Sequence, residues 1–162
     1  MQKLTPRDQN EKYGYVDEKG NWVIPPQFDS AFEFNDNMAR VEINRTSASG
    51  DNFIEKSPFY PYTRISNLAK VCVDGKWGMI DVNGNFVVPP LYENIYGFKY
   101  NFSIVKLNGK MGFIDRVGNL VIDTIYDSAE DFLDGIAKVV LNGKEGYIDS
   151  TGRWYDKNPN IR

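Results

Sequence analysis

The sequence predicts an all-β fold of tandem three-stranded hairpin repeats, about 34 residues each, stacked in an open curved array. Three observations carry this. One motif recurs in phase along 162 residues, each copy contains an Asp-x-x-Gly turn, and apolar residues recur between the turns at the spacing of strands. A ring-closed, propeller-like arrangement of the same units is the alternative.

The motif reads KYGYVDEKGNWVIPPQFD from Lys12, KWGMIDVNGNFVVPPLYE from Lys76, KMGFIDRVGNLVIDTIYD from Lys110 and KEGYIDSTGRWYD from Lys144. Gly14, Gly78, Gly112 and Gly146 fix the register. The steps from Gly78 to Gly112 and from Gly112 to Gly146 are both 34 residues, whereas Gly14 to Gly78 is 64. A small residue, Ala39, Ser103 or Ala137, opens the third strand 25 positions after its glycine, and Ala69 is a second such residue nine before Gly78. The 30 residues from Ala39 to Ala69 therefore hold a degenerate unit or an inserted loop. The expected division is an N-terminal tail (1–11), one repeat domain (12–157) and a C-terminal tail (158–162). Within the domain lie units 12–43, 74–107 and 108–141, an irregular stretch 44–73 and a partial unit 142–157.

Each element has a local cause. The first strand places Val16, Ile80, Ile114 and Ile148 on one face and Tyr15, Met79, Phe113 and Tyr147 on the other, as a strand covered on both sides requires. In the turns Asp17 to Gly20, Asp81 to Gly84, Asp115 to Gly118 and Asp149 to Gly152, the carboxylate accepts backbone N–H bonds and the glycine takes a left-handed position. The second strand is WVI, FVV, LVI or WY, and Pro25-Pro26 or Pro89-Pro90 is expected to end it. A loop then carries Phe28, Tyr92 or Tyr126, followed by a third strand with one wet face. Asn37, Asn101 and Gly135 share a position where positive φ is expected. Asp74-Gly75, Asn108-Gly109 and Asn142-Gly143 are type I′ hairpin signals into the following unit.

The run from Gly75 to Glu93, with its Lys-Trp-Gly, Asp-x-x-Gly and Pro-Pro-x-Tyr elements, resembles the bacterial WG-repeat, or KWG-repeat, family over residues 12–157. The signature tryptophan stands only at Trp77, with Tyr13, Met111 and Glu145 in its column. This resemblance implies a β-rich repeat used as a binding or scaffolding module, with no single activity, ligand or catalytic residue. A weaker resemblance, to choline-binding and clostridial-toxin glycan-binding repeats, is opposed by their shorter units and by the Pro-Pro-x-Tyr element.

Composition narrows the function. There are no histidines and one cysteine, Cys72, which removes Ser-His-Asp and Cys-His nucleophile systems, the usual zinc sites and any intrachain disulfide. No Walker loop, dinucleotide fingerprint or CxxC is present, so no cofactor and no metal are expected. The net charge of −3 argues against nucleic acid, and no apolar run is long enough for membrane insertion. The N-terminal stretch has no apolar signal region, which makes the cytoplasm the expected compartment.

A non-enzymatic module that binds another protein is the leading expectation, with an adaptor or immunity-type protein as its concrete version. Glycan or cell-wall binding is the alternative, and a hydrolase built on a carboxylate pair the second. The turn aspartates are spaced by the repeat and serve the turns; the column Trp22, Phe86, Leu120, Trp154 is expected to pack in the core or between units. Cys72 falls in a column that is mostly wet. Two features escape the repeat. The segment Asn44 to Leu68 carries Phe53, Phe59, Tyr60 and Tyr62, and the loop of the Lys76 unit has Tyr96 and Tyr100 where the next unit has Glu130 and Asp134. Phe32 shares the Tyr96 column. These seven aromatics are the candidate binding residues.

Overall fold

The turn signals produce hairpins. In the computed structural model, which describes residues 3–34 and 68–160, the chain is all-β. Its strands are β1 (Thr5–Gln9), β2 (Lys12–Val16), β3 (Trp22–Phe28), β4 (Ser30–Ala31), β5 (Ala69–Val73), β6 (Lys76–Ile80), β7 (Phe86–Tyr92) and β8 (Asn94–Ile95). There follow β9 (Phe102–Leu107), β10 (Lys110–Asp115), β11 (Leu120–Tyr126), β12 (Ser128–Ala129), β13 (Ile136–Leu141), β14 (Lys144–Asp149) and β15 (Trp154–Tyr155). They form four antiparallel sheets in chain order, β1-β2-β3, β4-β5-β6-β7, β8-β9-β10-β11 and β12-β13-β14-β15, none closed into a barrel.

The turns have the expected chemistry. Asp17 Oδ1 accepts the N–H groups of Lys19 (2.9 Å) and Asn21 (2.8 Å), and Asp81, Asp115 and Asp149 repeat this pattern. Both residues of Asp74-Gly75, Asn108-Gly109 and Asn142-Gly143 have positive φ, as a type I′ turn requires.

Several expectations are corrected. Residues 1–11 are not simply a tail, because β1 pairs with β2 from Thr5↔Val16 to Gln9↔Lys12. The sequence lacks apolar alternation there because β1 is mostly exposed and is held by its ladder. Pro25-Pro26 and Pro89-Pro90 do not end the second strand; β3 and β7 run through them, and Phe28, Tyr92 and Tyr126 are strand residues rather than loop residues. The register shifts where the chain crosses Gly14, Gly78 and Gly112, so the prolines sit at a bulge, where a missing N–H donor is tolerated. A Cβ on Gly14 would stand 2.4 Å from the Ile24 carbonyl oxygen, which is why the register glycine is glycine. Positive φ falls on Tyr100 rather than Asn101, and on both Asp134 and Gly135; Asn37 lies outside the described residues.

Each long second strand bends at a single residue, Asp29, Glu93 or Asp127, and enters the next sheet as β4, β8 or β12. There β4 pairs with β5, as β8 pairs with β9 and β12 with β13. Six residues separate β8 from β9 and β12 from β13, against 37 between β4 and β5. The strand expected from Ala39 to Ile43 lies outside the described residues, and so does the irregular stretch 44–73 up to Asn67; its last five residues form β5, which pairs with β4.

The apolar core lies between consecutive sheets in three clusters. Tyr15, Ile24 and Phe28 meet Ala69, Val71 and Ile80; Met79, Val88 and Tyr92 meet Val105 and Ile114; Phe113, Ile122 and Tyr126 meet Ala137, Val139 and Ile148. Turn glycines knit the stack as well: a Cβ on Gly84 would touch Ile24 at 3.4 Å, and one on Gly118 would stand 2.4 Å from the Val87 carbonyl oxygen. Trp22, Phe86 and Leu120 are not core residues but exposed ones at the strand starts, although Phe86 reaches back to Phe28 with ring centroids 6.3 Å apart. Cys72 is buried (8% exposed), a small side chain standing on one face of the sheet between its cross-strand partners Ser30 on β4 and Trp77 on β6.

Candidate binding surface

The loops that follow β4 and β8 present the candidate aromatics. The Phe32 N–H donates to the Lys70 carbonyl (3.0 Å) and the Tyr96 N–H to the Ile104 carbonyl (2.9 Å), so the two side chains leave equivalent backbone positions one unit apart. Phe32 is 54% exposed, Tyr96 39% and Tyr100 64%. The apolar area these side chains leave in water adds nothing to folding, whereas it contributes strongly when a partner covers it. Phe53, Phe59, Tyr60 and Tyr62 lie outside the described residues.

Phe32 is part of a cluster. Its ring centroid is 5.8 Å from that of Trp77, and Lys70 Nζ lies 4.1 Å from the Trp77 centroid and 5.9 Å from that of Phe32. Lys70 also donates to Asn94 Oδ1 at 2.7 Å, and burial holds its ammonium below the ordinary lysine range. The group is an aromatic platform with a cation fixed over it. Lys70, Trp77 and Asn94 are not among the residues singled out from sequence. Trp77 stands out there only as the surviving signature residue, and Lys70 is separated from Phe32 by the whole irregular stretch.

Tyr100 is held from beneath. Arg116 Nη2 donates to the Tyr100 carbonyl, and the guanidinium carbon lies 5.9 Å from the Phe98 ring centroid. Arg116 Nε and Nη1 are buried without hydrogen-bond partners, and burial lowers the pKa of the guanidinium. Lys99 joins this loop to the next through Asp131, 2.6 Å away, and Leu133 is exposed on that neighbouring loop. The structure thus brings Phe32 to Trp77 and Lys70, and places Tyr96 and Tyr100 on the loop of the following unit.

Among the described residues there is no group of three or more potential metal-ligating side chains and no helix long and apolar enough to cross a membrane. The carboxylates Asp17, Asp29, Asp81, Asp127, Asp149 and Asp156 are all held below the ordinary range, each by hydrogen bonds from its turn or by a lysine.

The family model for the WG containing repeat matches residues 13–45, 77–110 and 111–144. No curated protein and no solved structure matches the chain.

Proposed function

This chain belongs to the WG containing repeat family, and from that premise we propose that it is a non-enzymatic module that binds another protein through the surface of Phe32, Tyr96 and Tyr100. The exposure of these three aromatics on loops carried by a packed stack of sheets is the observation that supports the reading. Rigid scaffolds with aromatic loops suit recognition, since tyrosine and phenylalanine bring large contact area with few rotors to immobilise. The lysine over Trp77 adds a fixed positive charge, which suits an acidic or carbonyl-rich patch on the partner. The lowered carboxylates suit turns and ion pairs; a glycosidase-type general acid needs a carboxyl whose pKa is raised.

The test replaces Phe32, Tyr96 and Tyr100 together by alanine, with partner capture from the native host and circular dichroism as a control for folding. Loss of at least about tenfold in affinity by a folded triple variant is expected, as for a cluster of aromatic anchors. A partner retained at unchanged affinity refutes the site. Glycan-array binding that the same variant abolishes replaces the protein partner with a carbohydrate.

A further inference from the structure

The fourth hairpin lacks something the first three have. In those, the outer ladder pairs Tyr13 with Phe28, Trp77 with Tyr92 and Met111 with Tyr126. The corresponding residue of β14 is Glu145, but β15 pairs only with Ile148 and Tyr147 and stops at Tyr155. Successive residues of an antiparallel strand turn their N–H and C=O to opposite sides. Leu141 and Lys144 close the two-residue turn on the β13 side, so the N–H and C=O of Glu145 face the side where β15 has stopped. The residue opposite agrees: the Val140 carbonyl points away from β14 and accepts from the Asp127 N–H at 2.8 Å.

The chain beyond Tyr155 passes beside this edge, with Asp156 reaching Lys144 at 2.6 Å, but among the described residues it does not pair with Glu145 through its backbone. Asn160 Nδ2 donates to the Asp134 carbonyl at 3.0 Å, and a hollow of about 440 Å³ is left, lined by Glu145, Tyr147, Asp156, Lys157 and Asn158. Tyr147 lines the same hollow and is half-buried; its counterparts Tyr15, Met79 and Phe113 are buried because each packs against the following sheet, which the last sheet lacks among the described residues. The lysine beside the edge marks the missing partner. Lys12 pairs with the corner residue Asp29 and Lys110 with Asp127, whereas Lys144 is paired with Asp156 at 2.6 Å.

We propose that the Glu145 edge of β14 receives an extended segment of a partner protein carrying an aromatic residue followed by Asp or Glu. Phe28-Asp29, Tyr92-Glu93 and Tyr126-Asp127 show what fits the seat, because each fills it in its own hairpin. The incoming aromatic exchanges two backbone hydrogen bonds with Glu145 and covers Tyr147, and the following carboxylate competes with Asp156 for Lys144. This seat lies on the last sheet and is argued independently of the Phe32 surface.

The test uses the whole chain and a labelled peptide with the sequence of Leu120 to Ala129, followed by fluorescence anisotropy and amide hydrogen exchange. Saturable binding that slows exchange at Glu145 is expected. N-methylating the peptide's tyrosine amide, which deletes one hydrogen bond to Glu145 and leaves the protein untouched, weakens binding by about tenfold. Asp156→Asn frees Lys144 and tightens the acidic peptide several-fold, while leaving a peptide with Asn after the tyrosine unchanged. The proposal is overturned by no saturation up to about 2 mM, a feeble affinity for any strand-addition site. It is equally overturned by indifference to N-methylation, or by a Glu145 amide already protected in the free protein. Self-association of the protein that the peptide competes away assigns the edge to a second copy and overturns the partner.

Discussion

The register glycines are where single atoms decide the fold. A Cβ on Gly78 would stand 2.6 Å from the Val88 carbonyl oxygen, 2.9 Å from Pro90 N and 3.0 Å from the Pro89 carbonyl carbon. All three are backbone atoms of a bulged strand and cannot swing aside as a side-chain tip would. Gly78→Ala is therefore expected to cost about 3 kcal/mol, near the top of the range for overpacking, and urea denaturation measures it. A loss below about 0.5 kcal/mol, the size of an ordinary surface substitution, refutes the close-approach argument. At this scale the sequence was partly legible: the glycines gave the register, but their spacing carried no information about the bulge that makes glycine obligatory. The exposure of Trp22, Phe86 and Leu120 was hidden for a related reason, since aromatic residues at repeat-equivalent positions look the same whether they face a neighbour or water.

The hairpin turn is the element that repeats most faithfully, and it is built on a charge. Asp17 is held below the ordinary carboxylate range by Asn21, first through its side-chain amide and then through its backbone N–H. At Asp81 burial pulls the other way and is outweighed by hydrogen bonds from Asn85 and Asn83; at Asp149 the Thr151 hydroxyl leads. A depressed folded pKa means that the stabilisation is present above the unfolded value of about 3.9 and is lost as pH falls through the lower folded value. The urea midpoint is thus expected to be flat above about pH 5 and to fall below about pH 4. Asp81→Ala is expected to lose about 1 kcal/mol at about pH 7 and to show a shallower acid decline, since one of the titrating groups is gone. An unchanged decline in the variant refutes the assignment. These turns were the most legible part of the sequence because a carboxylate serving its own backbone is a local matter. The corner residues Asp29, Glu93 and Asp127 were not legible as a device. Asp29 joins Lys12 to the Asp74 N–H, and Asp127 joins Lys110 to the Gly143 N–H, contacts that only the folded path brings together.

For the whole molecule, stacking means that cover is unequal along the chain. The second and third sheets are packed on both sides, through the Ala69, Val71 and Ile80 cluster with the first sheet and the Ala137, Val139 and Ile148 cluster with the last. The first and fourth sheets each have one such neighbour. In an array of this kind stability is a sum of unit terms and nearest-neighbour interfaces, and a perturbation at one end is felt there first. Amide exchange is therefore expected to be slowest in β6, β9 and β10 and fastest in β1 and β15. The end is also where a local break can be confined. Tyr155 holds the last hairpin closed by donating its hydroxyl to Asp149 Oδ2 at 3.0 Å, and the Arg153 guanidinium lies 5.4 Å from its ring centroid. Tyr155→Ala is expected to raise exchange in β14 at least about tenfold, the loss of roughly one interaction's worth of local stability, while β2 and β6 keep their wild-type protection. Equal loss of protection in every sheet would mean that the stack opens only as one cooperative unit, and the nearest-neighbour description would fail.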